Sequence, residues 1–532
     1  MTSGDMQGVA KAMRSPDFYS QRPATVEVVE THASWVFLVG DRAYKLRKAV
    51  VFPFLDYGTP ERRRSFCEEE IRLGRRLAPN MYLGLRSVVE RDGKLGLADA
   101  NADGAIEHVT EMRRFDERCT LAATLAAGRV SRDDVRHLAR HVAAFHATAA
   151  LAPAVAFDAT AVAATVGENF VTLLDRADVV GASRLAAAHR FAVASIHGRR
   201  GLIDRRAADG HVRDGHGDLR LEHVILGEEI EIFDPLEFDP ALRQIDVLAD
   251  MAFLVMDFAA AGREDLADLL ASEYRAAAGE SDTHQLLWFY AAYRAWVRAK
   301  VQSLRGEQLA PGAERDVELA EARRLAELGA RLAWRARQPL LLVVCGGSAT
   351  GKTHLASALA ETSGLPHISS DVVRKELAGL DLHERAVEEE YSEQANLRTY
   401  RELGARAATA AHGAIVDATF RHRDHRTAFA SAYGERAPRP LFVECRAPAA
   451  TIADRARRRA SDSDRVSDAT PALAARMIHE FDPLDEVPPG AHLALRTDRP
   501  VEMAIADVET ALDARIGPPG DPAPTPRRTT DV

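Results

Sequence analysis

Alternating apolar and polar residues near the start of the chain predict an antiparallel sheet. Within 22–52 the segments TVEVVE, SWVFLVG and RAYKLRKAVVF alternate in this way and are rich in β-branched and aromatic residues. A helical pattern follows over 60–77, and more strands are expected over 81–114. Ser131 is a good helix start, and helices then dominate to about residue 335, interrupted by a strand-and-loop region over 216–240.

The pattern changes at Pro339, where the apolar run LLLVV predicts a strand buried on both faces. Helical segments then alternate with the short apolar runs PHIS, AIVDA, PLFVEC and HLALRT, which is typical of a doubly wound α/β sheet. The predicted organisation is a first domain over 1–335, a second over 338–515 and a disordered, proline-rich tail over 516–532.

Composition narrows the functional classes only modestly. The 532 residues are 46% hydrophobic and 28% charged, an ordinary globular balance, and the formal charge of −10 argues against a surface devoted to nucleic acid. The sequence shows no signal peptide and no apolar run of about eighteen residues, so we expect a cytoplasmic protein without a membrane partner. The four scattered cysteines favour reduced, mostly buried thiols.

Residues 346–353, GGSATGKT, fit the phosphate-loop pattern G-x-x-x-x-G-K-[ST] between a strand and a helix. Glycines let successive backbone N–H groups point at one phosphate chain, and the following helix adds its positive end. Lys352 would reach the β- and γ-phosphates of ATP, and the Thr353 hydroxyl would ligate Mg²⁺. The predicted nucleotide contacts are Gly346, Gly347, Ser348, Ala349, Thr350, Gly351, Lys352 and Thr353.

Two aspartates follow apolar segments in this half. Asp371, at a strand-to-helix junction, is either a helix N-cap or a base that accepts the proton of an attacking hydroxyl. Asp417 ends the strand AIVDA, where a carboxylate commonly supports Mg²⁺. Because position 418 is alanine, the Asp-Glu pair of remodelling AAA-type ATPases is absent.

Two basic segments follow. The helix with Arg455, Arg458 and Arg459 is either a lid that neutralises charge on the transferred phosphoryl group or a solvated helix face. The segment RHRDHR (421–426) is interpreted as a basic substrate loop in preference to a metal cluster, because no cysteine or paired carboxylate completes a ligand set.

These features together resemble the small P-loop kinases grouped with gluconate kinase, zeta toxin and the phage polynucleotide 5′-kinase, over about 338–515. The likeness includes the loop, Asp371 with Arg374, the DAT strand and the arginine helix followed by Ser467-Asp468-Ala469. It implies that Asp371 is the general base and Arg374 a substrate contact. The implied catalytic residues are Asp371, Lys352, Arg455 and Arg459.

The first half carries a second candidate site in GHGDLRLEHVILGEEIEIFDP. Asp218, His223 and Asp234 follow the layout of a kinase catalytic loop and its metal ligands. Asp218 would take the hydroxyl proton, while Asp234 and His223 would bind Mg²⁺. Lys45, on a strand, and Glu69 or Glu70, on the next helix, are expected to form the pair that orients ATP phosphates; Glu69 is the predicted nucleotide contact.

This half resembles the aminoglycoside phosphotransferase family, which has a protein-kinase-like α+β fold, over roughly 25–305. The likeness also includes AFH (144–146) and the segment Arg243 to Asp246. The fusion of both halves is similar to the bacterial proteins called bifunctional aminoglycoside phosphotransferase/ATP-binding proteins. It implies a phosphotransferase that moves the γ-phosphate of Mg-ATP to a hydroxyl of a small molecule.

Two departures from the family pattern leave the role of this half open. His223 occupies the position of a metal-ligating asparagine, and the first turn, ETHASW, has no glycine. The half is therefore an active kinase with altered metal use, a pseudokinase sensor that regulates the P-loop domain, or a structural domain. A further alternative gives the P-loop domain nucleotide or nucleic-acid 5′-hydroxyls as acceptors, because of the basic residues Arg421, Arg423 and Arg426 and those within 455–459.

Overall fold

The computed structural model describes residues 3–52, 55–381, 384, 391–435, 438–460 and 481–516. By its internal contacts the chain divides into a first unit, 1–165 with 201–294, and a second unit, 166–200 with 295–532. The predicted tail, 516–532, lies outside the described residues except for residue 516.

The first unit joins an antiparallel sheet to a helical part. Its strands are β1 (Glu27–Glu30), β2 (Ser34–Val39), β3 (Arg42–Arg47), β4 (Val51–Phe52), β5 (Leu55–Asp56), β6 (Tyr82–Arg91), β7 (Lys94–Asp99), β8 (Ala105–Arg113), β9 (Val212–Asp214), β10 (Val224–Ile225), β11 (Glu231–Ile232) and β12 (Gln244–Asp246). Its helices are α1 (Ser3–Met13), α2 (Pro60–Gly74), α3 (Leu121–Ala126), α4 (Arg132–Thr148), α8 (Arg200–Ala208), α9 (Val247–Ala260) and α10 (Glu264–Ala277).

Two further helices, α5 (Ala159–Leu174) and α11 (His284–Gln308), have residues in both units, as does α8 through Arg200. The second unit also contains α6 (Ala177–Val180), α7 (Ala182–Gly198), α12 (Ala313–Arg337), α13 (Lys352–Ser363), α14 (Ser370–Ala378), α15 (Glu393–Thr409), α16 (Arg423–Tyr433), α17 (Ala449–Ala460) and α18 (Val501–Asp513). Its strands are β13 (Leu340–Cys345), β14 (His367–Ser369), β15 (Gly413–Asp417), β16 (Leu441–Arg446) and β17 (His492–Arg496).

The main sheet of the first unit has the strand order β1-β2-β3-β8-β6-β7, with every neighbouring pair antiparallel. Its apolar positions form one core with α1, in which Met6 and Met13 pack with Trp35 and Phe37. The helix α2 is held to β8 by the fully buried Arg63–Glu107 pair, with Arg63 Nε 2.9 Å from the carboxylate. This protein-kinase-like α+β fold confirms the fold class predicted for the first half.

The second unit is a doubly wound α/β domain, as predicted. Its five strands are parallel, in the order β14-β15-β13-β16-β17. The apolar run at 340–345 is buried on both faces because successive side chains point to opposite sides: Leu342 packs with α13 and α18, and Val343 with α15 and α16. The central strand β13 therefore delivers the residues after Cys345 to the carboxyl edge of the sheet.

The grouping of helices differs from the predicted boundary at residue 335, because α7 and α12 pack with the second unit. The Arg337 guanidinium at the end of α12 is 2.6 Å from the Asp513 carboxylate of α18, and Arg190 of α7 is 3.2 Å from the same carboxylate. Arg337 also lies 4.4 Å over the ring of Phe191. This buried ion pair ties both helices to the α/β domain.

No helix in the described ranges is long and apolar enough to cross a membrane. Three cysteine thiols are buried as expected, and Cys119 is exposed.

The buried ion pair gives a stability prediction. Replacing Asp513 by asparagine leaves Arg337 buried without its counter-charge, so we expect the free energy of unfolding of the second unit to fall by about 3–5 kcal/mol. Urea unfolding followed by tryptophan fluorescence measures this, since Trp334 packs against Arg337. The matched control is Asp507→Asn on the same helix, whose pair with Arg499 is partly exposed; it should cost under about 1 kcal/mol. Equal losses in both variants would contradict the prediction.

Candidate functional site

The predicted phosphate loop connects β13 to α13 and has the backbone that a phosphate cradle needs. Gly346 and Gly351 have φ angles of +135° and +94°, which glycine adopts at little cost. A Cβ atom at Gly346 would lie 2.6 Å from the carbonyl oxygen of Cys445. The Thr350 hydroxyl donates to the Gly347 carbonyl at 2.8 Å. The loop thus obtains its curled shape from its own residues.

The other loop residues divide into a buried and an accessible set. Ser348 and Ala349 are buried, and Ala349 also has a positive φ of +62°. Lys352 is half-buried and Thr353 exposed on the first turn of α13. Within the described ranges no carboxylate forms an ion pair with Lys352. The ammonium and the hydroxyl are therefore positioned for an anion and a cation at the positive end of α13.

Asp417 ends β15 beside the loop, in register with Val344 of β13. The residue is 2% exposed, and its Oδ1 has no hydrogen-bond partner among the described residues. Its Oδ2 lies 3.6 Å from Nε2 of His367 on β14, a residue that the sequence analysis did not single out. A buried carboxylate oxygen without a donor is costly, so this oxygen fits a divalent cation or its water ligands.

Asp371 and Arg374 both lie on α14. Two tyrosines that the sequence analysis did not single out, Tyr391 and Tyr400, interact with them. The N-cap of α14 is Ser369, so the helix-capping alternative for Asp371 was wrong. The Arg374 guanidinium lies 4.7 Å over the Tyr391 ring. Burial raises the pKa of Tyr400, whose hydroxyl is 2.8 Å from Oγ1 of Thr419, and the charges of Arg374 and Asp371 also act on it. The predicted base and substrate contact thus lie around the residues that follow Asp417.

The basic segment 421–426 is largely neutralised by acidic residues. Arg426 is 3% exposed, forms an ion pair with Glu486 and donates to the Phe420 carbonyl at 2.9 Å. Arg423 lies 3.4 Å from the same glutamate. The prediction of a basic substrate loop was therefore wrong for Arg426, which is a buried structural residue, and the segment loses much of its attraction for nucleic acid.

Arg455 lies beside the phosphate loop but bonds to the main chain. Its Nη1 is 3.3 Å from the Thr350 carbonyl and 3.1 Å from the Thr497 hydroxyl. It also lines a cavity of about 190 Å³ next to Gly351. Arg458 is exposed and pairs with Asp454 at 3.0 Å, as the solvated-face alternative predicted. The Arg459 side chain and Ser467-Asp468-Ala469 lie outside the described residues.

In the first unit, the predicted lysine pairs with the second of the two candidate glutamates. Lys45 Nζ lies 2.7 Å from Glu70 Oε1 and 2.8 Å from Asp234 Oδ1. Glu69 was the wrong choice: it pairs with Arg72 and with Arg243, at 2.7 and 2.8 Å. One residue is a rotation of about 100° on a helix, so Glu70 faces β3 and Glu69 faces away from it.

Arg47, two residues after Lys45 on the same face of β3, completes this arrangement and was missed by the sequence analysis. Its buried guanidinium lies 2.8 Å from Glu70 Oε2 and 2.9 Å from Glu237 Oε1. The Tyr57 hydroxyl donates to the same Glu237 oxygen at 2.8 Å. The carboxylate of Glu70 is thereby fixed from both sides, which orients the oxygen that holds Lys45.

The predicted catalytic loop, which begins at His216, is held by Asp250 of α9. This carboxylate accepts the backbone N–H groups of His216 and Gly217 at 2.7 and 2.9 Å, and it lies 3.2 Å from Nε2 of His146. Burial lowers the pKa of His216 to about 4, so its ring is neutral at pH 7, and Nε2 is 2.9 Å from the Phe233 carbonyl. The loop is therefore rigidly placed one residue before Asp218.

Three predicted residues meet at the end of this loop. Burial raises the pKa of Asp218, which suits a proton acceptor. Burial would also raise the pKa of Asp234, but Lys45 and His223 outweigh it and hold that pKa well below its usual range. His223 Nδ1 lies 2.9 Å from the Asp218 carbonyl, so in the neutral ring Nδ1 carries the proton. Its Nε2 lies 3.8 Å from Asp234 Oδ2, so in the neutral ring these two atoms could hold a metal ion together.

A cavity of about 1190 Å³ adjoins these residues. Lys45, Glu70 and Asp234 line it together with the first turn of the sheet. In that turn the Thr31 hydroxyl accepts the Ser34 N–H at 3.0 Å and occupies a donor that a glycine-rich loop would present to phosphate. The cavity is large enough for a nucleotide, but its phosphate contacts must come mainly from side chains.

Comparisons with known proteins agree with two joined domains. A family model described as an AAA domain matches residues 341–484, which include the phosphate loop and Asp417. A protein of Mycobacterium tuberculosis (strain ATCC 25618 / H37Rv), named uncharacterized protein Rv2004c, is 32% identical over 466 residues, covering 85% of this chain and 90% of that protein. A protein of Mycobacterium bovis, named Mb2027c, matches to the same extent.

Each of the similar solved structures aligns with only part of this chain. A gluconokinase from Sinorhizobium meliloti 1021 is 22% identical and covers 34% of this chain and 94% of its own, with a TM-score of 0.25. A choline/ethanolamine kinase family protein from Mesorhizobium loti is 13% identical and covers 62% and 99%, with a TM-score of 0.34. An aminoglycoside phosphotransferase from Streptomyces rimosus is 15% identical and covers 60% and 98%, with a TM-score of 0.31.

Two buried histidines predict a loss of stability in mild acid: His216 in the predicted catalytic loop and His425 in the segment 421–426. His216 and His425 each have a folded-state pKa of about 4, lowered chiefly by burial, against 6.5 in the unfolded chain. Between these values the unfolded chain binds more protons, so the free energy of unfolding should fall as pH drops from 6.5 to 4, by up to about 1.4 kcal/mol per pH unit for each ring.

Urea unfolding at pH 7, 6 and 5 measures this slope. His216→Gln should flatten it, whereas His354→Gln, which removes an exposed ring, should leave it unchanged. An identical slope in His216→Gln and the parent protein would contradict the assignment.

Proposed function

This chain belongs to the same family as the mycobacterial proteins and joins a protein-kinase-like unit to a P-loop kinase unit. We propose that it is an ATP-dependent phosphotransferase with one site in each unit. Each site would transfer the γ-phosphate of Mg-ATP to an alcohol. The observation that carries the proposal is the curled loop 346–351 beside Asp417, whose buried Oδ1 lacks a protein donor in the described ranges.

In the second unit, the loop N–H groups and Lys352 would hold the phosphates of ATP. Thr353 and Asp417 would hold its magnesium ion, directly or through water. Bound Mg-ATP supplies the phosphoryl group and the charge neutralisation that its transfer needs. Asp371 would accept the proton of the acceptor hydroxyl, and Arg374 would orient the acceptor. The side chain of Arg455, already bonded to the Thr350 carbonyl, supports the loop from behind.

In the first unit, Lys45 would orient the phosphates, held in place by Glu70. Asp234 and His223 would hold the divalent cation, and Asp218 would accept the acceptor's proton. The raised pKa of Asp218 and the rigid hold of Asp250 on the loop support these roles.

The pseudokinase alternative for the first unit is supported by two specific observations. The Thr31 hydroxyl occupies the Ser34 N–H in the first turn, and His223 supplies a nitrogen where magnesium prefers oxygen. In this alternative, the first unit binds nucleotide and regulates the second without transferring phosphate.

Loss of the P-loop lysine tests which unit turns over ATP. Lys352→Ala should reduce ATP turnover by the second unit at least about 100-fold, because the ammonium contacts the charge that develops on the transferred group. ADP release from full-length protein, measured across a panel of alcohols, gives the rate. Arg401→Ala removes an exposed basic residue of α15 and should retain full turnover.

The residual activity of Lys352→Ala separates the alternatives for the first unit. Turnover that then disappears in Lys352→Ala/Asp218→Asn identifies an active first site. Nucleotide binding without any residual turnover favours the pseudokinase. Full activity in Lys352→Ala together with its loss in Asp218→Asn would show that the P-loop is not the site of transfer.

The neighbouring glutamates of α2 give a matched pair of variants. In the Lys352→Ala background, Glu70→Gln should weaken Mg-ADP binding at least about tenfold, because Lys45 and Arg47 lose their shared counter-charge. Glu69→Gln should change it less than about threefold, since that carboxylate pairs with arginines away from Lys45. Calorimetry measures both affinities. A larger effect of Glu69→Gln than of Glu70→Gln would support the predicted pairing of Lys45 with Glu69.

A further inference from the structure

An arginine beside the catalytic loop of the first unit has no assigned role. Arg294 lies on α11, where its Nε donates to the Ala249 carbonyl at 3.2 Å and its guanidinium lies 4.1 Å over the Phe253 ring. Both contacts are with α9, whose Asp250 holds the His216 and Gly217 N–H groups. The same helix therefore fixes the catalytic loop and this guanidinium.

The charge of Arg294 is not matched within the protein. Among the described residues no carboxylate forms an ion pair with it, and its only hydrogen-bond acceptor is the Ala249 carbonyl. Arg220 is a contrast: it is two residues after Asp218, but it pairs with Glu222 and lies 3.7 Å from Asp257. A partly buried guanidinium with unused donors is a ready partner for an anion.

Arg294 is also linked through α9 to the proposed base: Ala249, whose carbonyl accepts from Arg294, precedes Asp250, whose carboxylate holds the Gly217 N–H next to Asp218. Burial lowers the pKa of Arg294, and the charges of Asp250 and Asp218 act in the opposite sense. The nearby carboxylates other than Asp218 are engaged: Asp250 with the loop, and Asp257 with the Leu221 N–H at 3.2 Å. Among the described residues near Asp218 there is thus one cation without a counter-charge, Arg294. Few carboxylates remain there that could bind an amino group of an acceptor.

We propose that the first unit takes an alcohol that carries an anionic group, a phosphate or a carboxylate, and that Arg294 binds this group while Asp218 faces the hydroxyl. This inference rests on the proposed phosphotransferase function and specifies its acceptor. In the transfer, the hydroxyl oxygen bonds to the γ-phosphorus and the bond from that phosphorus to the bridging oxygen of ADP breaks. The hydroxyl proton goes to Asp218, and ADP leaves with the electron pair of the broken bond.

Full-length protein with Lys352→Ala, which silences the second site, tests the inference. The probes are glycerol 3-phosphate, ribose 5-phosphate, D-glycerate and D-gluconate, with glycerol and ribose as neutral members and choline and kanamycin as cationic ones. Calorimetry with Mg-AMP-PNP present gives binding, and ADP release with Mg-ATP gives kcat and KM. We expect at least one anionic alcohol to bind tenfold more tightly than its neutral counterpart; the phosphate and carboxylate members show which anion is preferred.

The role of Arg294 is then read from three variants. Arg294→Gln should raise the dissociation constant and KM of the anionic alcohol at least tenfold, with the KM for ATP unchanged. Arg294→Lys should recover part of the loss, which a folding defect would not allow. Arg305→Gln, which removes an exposed, Glu318-paired arginine of the same helix, should behave like the parent.

Each outcome decides the inference separately from the proposed function. Arg294-dependent binding of an anionic alcohol without ADP release supports the anion subsite and counts against phosphotransfer by this unit. Preference for choline or kanamycin, no binding of any anionic probe, or anion binding that Arg294→Gln leaves unchanged would overturn the inference, even where turnover is observed.

Discussion

A charge removed from water needs an opposite charge or hydrogen-bond donors and acceptors around it, and this requirement organises the first unit. Glu70 is 1% exposed and divides its oxygens between Lys45 and Arg47, at 2.7 and 2.8 Å. Both cations come from β3 and the carboxylate from α2, so sheet and helix cannot separate without leaving the buried Glu70 carboxylate unmatched. Asp250 applies the same rule to the catalytic loop, where its carboxylate satisfies two backbone N–H groups. The geometry of the site is therefore a consequence of how the buried charges are matched.

The phosphate loop of the second unit is shaped mainly by backbone groups, although that unit also contains the buried Arg337–Asp513 pair. Its loop curls through residues with positive φ and closes on itself through the Thr350 hydroxyl, at the carboxyl end of a strand buried on both faces. Beside this loop, the buried Oδ1 of Asp417 has no donor among the described residues. A divalent cation or its water ligands would complete this arrangement, in agreement with the proposed function.

Local patterns were enough to predict the order of elements, both fold classes and the position of the phosphate loop, because period-2 alternation and continuous apolar runs depend on neighbouring residues. Contacts between distant residues were not predictable in this way. Glu70 and Glu69 differ only in which side of α2 faces β3. Arg47 meets Glu237 across 190 positions, and Arg426 meets Glu486 across 60, so composition alone made the second arginine look available. The grouping of α7 and α12 with the second unit depends on Asp513, which no local signal connects to Arg337.

The two sites differ most in what would hold the phosphates. In the second unit the proposed donors are backbone N–H groups of the loop, whose donor capacity does not change with pH. In the first, the Thr31 hydroxyl already accepts the Ser34 N–H of the turn, so under the proposed function phosphate binding would fall to Lys45 and to a cation that Asp234 and His223 would hold. His223 Nδ1 donates to the Asp218 carbonyl, and its Nε2 lies toward Asp234. A site with one imidazole and one carboxylate would accept Mn²⁺ more readily than a site of oxygens alone, and its nucleotide affinity would then depend on metal identity. Under the proposed function, the activity of the first unit would therefore depend on the divalent ion more than that of the second.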